Sequence, residues 1–256
     1  MDSVLLLFDT FQMDRVDILM FMMAAFLLGM AKAGVKGLGT ISIPLTVFVF
    51  GAKESTGIIL PVLIYADSFS VLYYYKKTDW SQVKMLIPMT IIGVVLATLV
   101  GYYISGKTFQ YAMGFLILIC LLLLIVKDKI GNNIEMENHS WLTPLTGVSL
   151  GFTTMIGNAA GPFLNIYLLI RKMPKETFVA TSAVYFYIVN FIKIPFHVFG
   201  WKTITWDTFM LSLTTIPIVI VGVLIGIQLV KLMNETFFKW LVIISTAVSG
   251  IILLIR

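Results

Sequence analysis

"GMAKAGVKGLG", residues 29–39, lies between two apolar runs and sets Lys32 and Lys36 among glycines. The run that follows, "LGTISIPLTVFVF" (38–50), would make roughly 20 Å of helix at 1.5 Å rise per residue, whereas a hydrocarbon core is roughly 30 Å thick. A second short run, 159–170, follows "MIGNAAGP" (155–162). Neither is long enough to span. Pro44 and Pro162 fall within them, and short, Gly/Pro-interrupted apolar segments at matching places in two halves of a chain point to a transport site. These two stretches decide the fold: a helical membrane protein with two broken hairpins.

The chain around them has 256 residues, 59% hydrophobic and 12% charged, with a mean hydropathy of +0.98. A soluble domain has a much larger charged share, so the composition is that of a polytopic membrane protein. The N-terminus, "MDSVLLLFDTFQMDRVD", lacks the basic region of a cleaved signal peptide and reads as mature sequence. One cysteine, Cys120, excludes an intrachain disulfide. The net charge of +5 is scattered through short loops, a topology signal rather than a nucleic-acid surface.

Gly29, Gly39, Lys53, Glu54 and Tyr65 reappear as Gly151, Gly161, Lys175, Glu176 and Tyr187, each 122 residues later. After a slip of a few residues Trp80 matches Trp206, Ile87 and Pro88 match Ile216 and Pro217, Gly93 matches Gly222, and Thr108 matches Thr236. This is an internal duplication. Residues 16–127 form the first repeat, 128–140 a polar cytoplasmic linker, and 141–256 the second repeat, all within one integral membrane domain.

Each repeat reads as a broken pair of short helices plus three long ones, at 57–75, 83–104 and 109–126 and again at 177–198, 208–230 and 237–255. That makes about eight to ten membrane segments of an all-α fold. An odd number of long crossings after each hairpin inverts the second repeat relative to the first. The excess of Lys and Arg in "YKKTD", the linker start, "RKMPKE" and the Lys231 loop puts these on the cytoplasmic face of a plasma (bacterial inner) membrane, and both termini outside.

Hairpins entering from opposite faces would bring their tips together near the midplane, with the N-termini of two half-helices pointing inward. Free N–H groups and the positive helix end favour an anion there, and glycine lets it approach the backbone. The candidate substrate-binding residues are Gly34, Lys36, Gly37, Gly39, Thr40, Ser42, Gly157, Asn158, Gly161 and Asn165. The competing reading makes Lys32 and Lys36 ordinary loop lysines that snorkel from two full crossings. Gly93, Gly222 and Gly226 read as close helix-packing positions.

Other polar residues lie at depth. Asp67 sits near the middle of a long apolar helix, where an ionisable group is costly. With Ser68, Asn190 and Lys193 it forms a candidate coupling or structural polar set, for which a proton or sodium ion is the coupling cation. Lys193 is either a partner for Asp67 or a lysine that snorkels from its helix end near Pro195. His197, beside Phe196, Phe199 and Trp201, reads as an interfacial belt residue, as do Trp80, Trp141, Trp206 and Trp240. No HExxH, CxxC, GxSxG or phosphate-loop motif occurs, which speaks against an enzyme and against any cofactor or metal.

The turns "GMAKAGVKGLGTISIPL" and "GFTTMIGNAAGPFLNIYLL", each followed by a short helix, a charged turn and a long helix, resemble the paired signatures of the sulfite exporter TauE/SafE family. The resemblance covers nearly the whole chain. In place of the family's usual run of three glycines, Thr40 and Ser42 follow Gly39, and the second turn keeps Gly157 and Gly161. The resemblance implies a secondary transporter of small sulfur-containing anions such as sulfite, sulfonates or sulfoacetate. Its partners would be that anionic substrate and the lipid bilayer, with no nucleic acid, and a homo-oligomer fits as well. A carrier of a non-sulfur carboxylate and a membrane scaffold subunit without transport activity are the competing functions.

Overall fold

The computed structural model describes residues 7–33, 35, 38–130, 142–171, 173–232, 240, 244, 247–248 and 251–255. Gly34, Lys36, Gly37, His139, Trp141, Thr236 and residues 131–140 of the linker lie outside the described residues, as do the side chains of Cys120, Pro162, Lys175 and Glu176. Among the described residues the principal helices are, in order, α1 Arg15–Lys32, α2 Leu38–Phe50, α3 Ala52–Tyr74, α4 Trp80–Tyr103, α5 Gly106–Ile130, α6 Leu142–Gly157, α7 Gly161–Ile170, α8 Lys175–Pro195, α9 Trp206–Leu213 and α10 Ile216–Leu232. Among the described residues there is no strand.

Local chemistry sets the helix ends. Asp14 caps α1, accepting from the N–H groups of Val16 and Asp17 at 2.7 and 2.8 Å, while Asp17 accepts from Asp14 N–H. Asp79 caps α4 and Thr205 caps α9 in the same way. Gly51, at φ +85°, supplies the left-handed residue that lets α2 turn directly into α3.

The short segments are short helices. α2 has 13 residues and α7 has 10, and α2 stays helical through Pro44. Ala52–Leu72, Trp80–Tyr103 and Thr177–Gly200 are each long and apolar enough to cross a membrane; α9 and α10, bent by 45°, add a fourth crossing when taken as one. That bend departs from the single segment at 208–230 read from the sequence. Thr214 and Thr215 donate their hydroxyls back to the carbonyls of Leu211 and Ser212, and Pro217 follows with no N–H to continue the ladder.

The outer surface is that of a protein in lipid. On α4, Ile92, Leu96 and Leu99 are exposed while Val83, Leu86, Val94 and Ala97 are buried, so the outward face is as apolar as the inward one. Leu72, Tyr103 and Phe199 are similarly exposed. The described tryptophans read as belt residues, Trp80, Trp206 and Trp240, are also exposed.

Two cores exchange helices between the halves. In one, Phe21, Ala25 and Leu28 of α1 and Ile59, Val62 and Leu63 of α3 meet Val219 and Val223 of α10. In the other, Leu150 of α6, Leu164 of α7 and Tyr185 and Val189 of α8 meet Val83 and Leu86 of α4. Glycines permit both contacts. A Cβ at Gly29 would collide with the Val219 carbonyl, and Gly222 opposite it lies against Phe26. A Cβ at Gly151 would collide with the Thr90 carbonyl and stand 2.8 Å from Val94 N, and Gly93 opposite it lies against Val148 and Phe152. The matched pairs Gly29/Gly151 and Gly93/Gly222 thus make equivalent contacts, each helix of one half resting on a helix of the other.

Gly151→Ala is therefore expected to force α4 and α6 apart, at a cost of about 1–3 kcal/mol for an overpacked contact. Thermal unfolding in detergent should show a midpoint lowered by several degrees, whereas Gly106→Ala, with nothing within 4 Å of the new methyl, should leave it unchanged.

Candidate functional site

α3 and α8 pack directly on each other, and the last residue of α1 and the α6–α7 turn both lie against them. Lys32, the last residue of α1, places Nζ 2.6 Å from Asp67 Oδ1 at the centre of α3. Asn190 of α8 donates Nδ2–H to the other oxygen, Oδ2, at 2.8 Å. Asp67 is only 1% exposed, while the Lys32 side chain is 18% exposed. Lys32 is held further by the Phe186 ring, 4.9 Å from Nζ, and its carbonyl accepts from Ser70 Oγ at 2.7 Å. A lysine at a helix C-terminus also complements the dipole there.

One helical turn along α8, Lys193 serves the other hairpin. It is fully buried, and Nζ donates to Asn158 Oδ1 at 2.5 Å, to the Thr154 carbonyl at 3.2 Å and to Thr154 Oγ1 at 3.3 Å. Asn158 forms the turn between α6 and α7 at φ +52° and passes its Nδ2–H to the Thr56 carbonyl of α3 at 3.3 Å. Asn190 and Lys193 are three residues apart, about 4.5 Å of rise, so the two hairpin ends are bridged by a single turn of α8.

The charges do not balance. Asp67 answers Lys32, but the three acceptors around Lys193 are all neutral. Were Lys193 protonated as well as Lys32, two ammonium groups would face one carboxylate among the described residues, and the second charge would need a counter-ion in an interior where an uncompensated ion is expensive. Gly161 opens α7 beside this charge, and a methyl added there would meet nothing within 4 Å. The first N–H groups of a helix have no intrahelical partner. The arrangement is chemically suited to hold an anion.

The remaining sequence candidates are placed as follows. Gly39 lies in the first turn of α2 against Ala31, and Ser42 is buried with Oγ donating to the Gly39 carbonyl at 2.6 Å. Thr40 lies on α2 and Asn165 on α7, both partly buried, and Gly157 ends α6. Ser68 returns its hydroxyl to the Ile64 carbonyl at 2.8 Å and takes no part in the cluster. A cavity of about 240 Å³ lined by Pro44, Phe48, Gln110 and Leu253 lies elsewhere, and none of the clustered polar residues lines it.

Three sequence expectations change. Lys193 does not snorkel and does not pair directly with Asp67: helical structure continues beyond Pro195 through a π turn at Phe196–Gly200, which leaves Lys193 well inside its segment. Lys32 is not an ordinary loop lysine but the ion-pair partner of Asp67. His197 is not a belt residue; it is 0% exposed, with Nδ1 2.8 Å from Thr203 Oγ1 and its ring edge-on to Trp201. Thr154 and Thr56 were not singled out by the sequence reading. The offset of 122 residues places Thr154 opposite Lys32 and Asn158 opposite Lys36, which marks Thr154 as a hairpin position.

A multi-pass helical membrane protein with ionisable residues clustered in its interior has the build of a transporter. Residues 19–253 match the sulfite exporter TauE/SafE family, and the chain belongs to that family. It is a family of membrane transporters of sulfur anions such as sulfite rather than of enzymes. No curated protein and no solved structure matches the chain.

Proposed function

We propose that this protein is a secondary transporter that carries a small sulfur-containing oxyanion, of the sulfite, sulfonate or sulfoacetate type, across the plasma membrane by alternating access. The observation that carries this reading is the unbalanced cluster: Lys32 and Lys193 against Asp67 alone, where the two hairpin ends meet. An anion supplies the missing charge. Asn158, Gly157 and Gly161 line its approach at the second hairpin. Gly39, Thr40, Ser42 and the sequence candidates Gly34, Lys36 and Gly37 belong to the first hairpin, and Asn165 lies one turn into α7.

The exchanged cores supply the moving parts. α1 with α10, and α6 with α4, are two units drawn from both halves, and α3 and α8 cross between them. In an inverted repeat such units rock against each other around a fixed site. Breaking and remaking the Lys32–Asp67 pair is the step at which a proton or sodium ion would couple to the anion.

Selenite, the selenium analogue of sulfite, tests the position of the site. Crystals grown with it should show an anomalous peak within hydrogen-bond distance of Lys193 Nζ or the α6–α7 turn. A peak confined to the lipid-facing surface, or none at all at saturating selenite, would remove the site from this position. The same measurement with a selenium-free carboxylate such as acetate as competitor separates the two anion classes: displacement of selenite at equal concentration would favour a carboxylate carrier.

A further inference from the structure

The outer end of the same cluster holds a buried group that the reading above does not use. His197 is fully buried, and its Nε2 has no hydrogen-bond partner among the described residues. Leaving a buried polar atom unpaired costs roughly 1–3 kcal/mol, so native proteins keep such atoms for a reason. Nδ1 is occupied by Thr203 Oγ1 at 2.8 Å, which leaves Nε2 as the ring nitrogen without a partner among the described residues.

His197 lies in the π turn that continues α8 and follows Lys193 by four residues, about one turn along the same helical path. Thr203 packs on Gly57 of α3, and the residue before it, Thr56, accepts the Asn158 amide. A chain of neighbours thus runs from His197 through Thr203, Gly57 and Thr56 to Asn158 in the α6–α7 turn and on to Lys193. In the first half, by contrast, the lysine at the hairpin end is answered by Asp67.

We propose that the anion seat lies in the second half, between Lys193 and the α6–α7 turn, and that His197 is part of it, donating Nε2–H to the bound oxyanion. The inference rests on the anion-transport reading and deepens it. The tautomer follows from the ligand: an oxyanion only accepts, so Nε2 carries the proton and the Thr203 hydroxyl donates to Nδ1. Thr203 is then a positioning residue that fixes the imidazole, and Lys32 with Asp67 stays outside the first contact shell of the anion.

Three substitutions separate binding from structure. Gln at this position mimics Nε2, Asn mimics Nδ1, and Phe keeps the ring shape with neither nitrogen. In proteoliposomes carrying labelled sulfite, His197→Asn and His197→Phe should each raise KM by about tenfold or more, the loss expected for a hydrogen bond to a charged ligand, while His197→Gln stays near wild type. The reverse order, with Asn near wild type and Gln impaired, would assign His197 to holding Thr203 alone and overturn the proposal, as would an unchanged KM in all three.

Should the variants fail to fold, the wild-type protein still decides. It has two histidines, so ¹⁵N-histidine labelling gives two Nε2 resonances, assigned with His139→Gln. Sulfite should shift the His197 Nε2 resonance and leave that of His139 in place. Wild-type protein that moves sulfite without that shift sinks this proposal and leaves the transport reading standing; wild-type protein that moves none removes both.

Discussion

Asp67→Asn should destabilise the protein by about 3–5 kcal/mol, the cost of removing one partner from a buried ion pair. The substitution keeps the side-chain shape and an oxygen for the Asn190 amide, so the loss reports the charge. What remains is the Lys32 ammonium 18% exposed, with only the Phe186 ring and water to stabilise it. Lys32→Met should cost a comparable amount, because it strands a carboxylate that is 1% exposed with a single neutral donor, Asn190. The double variant Lys32→Met/Asp67→Asn should recover most of the loss, since no buried ion is left unpaired in that half. Denaturation in detergent for the four proteins gives the coupling energy directly, expected at about 2 kcal/mol or more. Independent, additive losses would mean that the pair contributes nothing beyond its separate parts.

Lys193→Met should lower sulfite flux by about a hundredfold or more, the scale on which a buried, hydrogen-bonded charge contributes to binding of its counter-ion. Methionine fills much of the same volume, so packing against Thr154 survives while the excess charge disappears. Asn158 keeps its bond to the Thr56 carbonyl and holds the turn. Thermal stability should fall little or even rise, because the substitution removes an ion that no carboxylate contacts directly. A loss of flux without a loss of stability is what separates a ligand-binding lysine from a structural one. Lys193→Arg should fail to rescue, because a planar guanidinium does not reproduce the contacts of a compact ammonium to Asn158 and Thr154.

Much of the architecture is legible in the sequence because membrane helices must satisfy their own backbone and therefore declare their length. The 13 residues of α2 stand out for that reason, and Gly29, Gly93, Gly151 and Gly222 stand out because close approach of backbones tolerates no other residue. Gly93, Gly222 and Gly226 read correctly as packing positions without any knowledge of their partners.

The polar cluster was only half legible. Asp67 announces itself by its depth, but its partner Lys32 is 35 residues away on a helix whose placement depends on the exchange of α1 onto α10. Lys193 and His197 misled for a common reason: Pro195 looks like a helix end, and residues near an end are read as snorkelling or interfacial. The π turn at Phe196–Gly200 carries the helical path past that proline and buries both side chains. Nothing in the local sequence signals a π turn. The bend between α9 and α10 was missed because threonine is compatible with a continuous membrane helix, and its hydroxyls become a break only where they claim the carbonyls of Leu211 and Ser212.

The central claim is that the cluster between the hairpins moves a sulfur oxyanion across the membrane. Uptake of ³⁵S-labelled sulfite into proteoliposomes containing the wild-type protein, beside Lys193→Met of verified fold, tests it most directly. The wild type should show saturable uptake that unlabelled sulfite suppresses and chloride does not, and that Lys193→Met lowers by about a hundredfold or more. Uptake no faster than in protein-free vesicles, under inward and outward gradients of sulfite, protons and sodium, would contradict it.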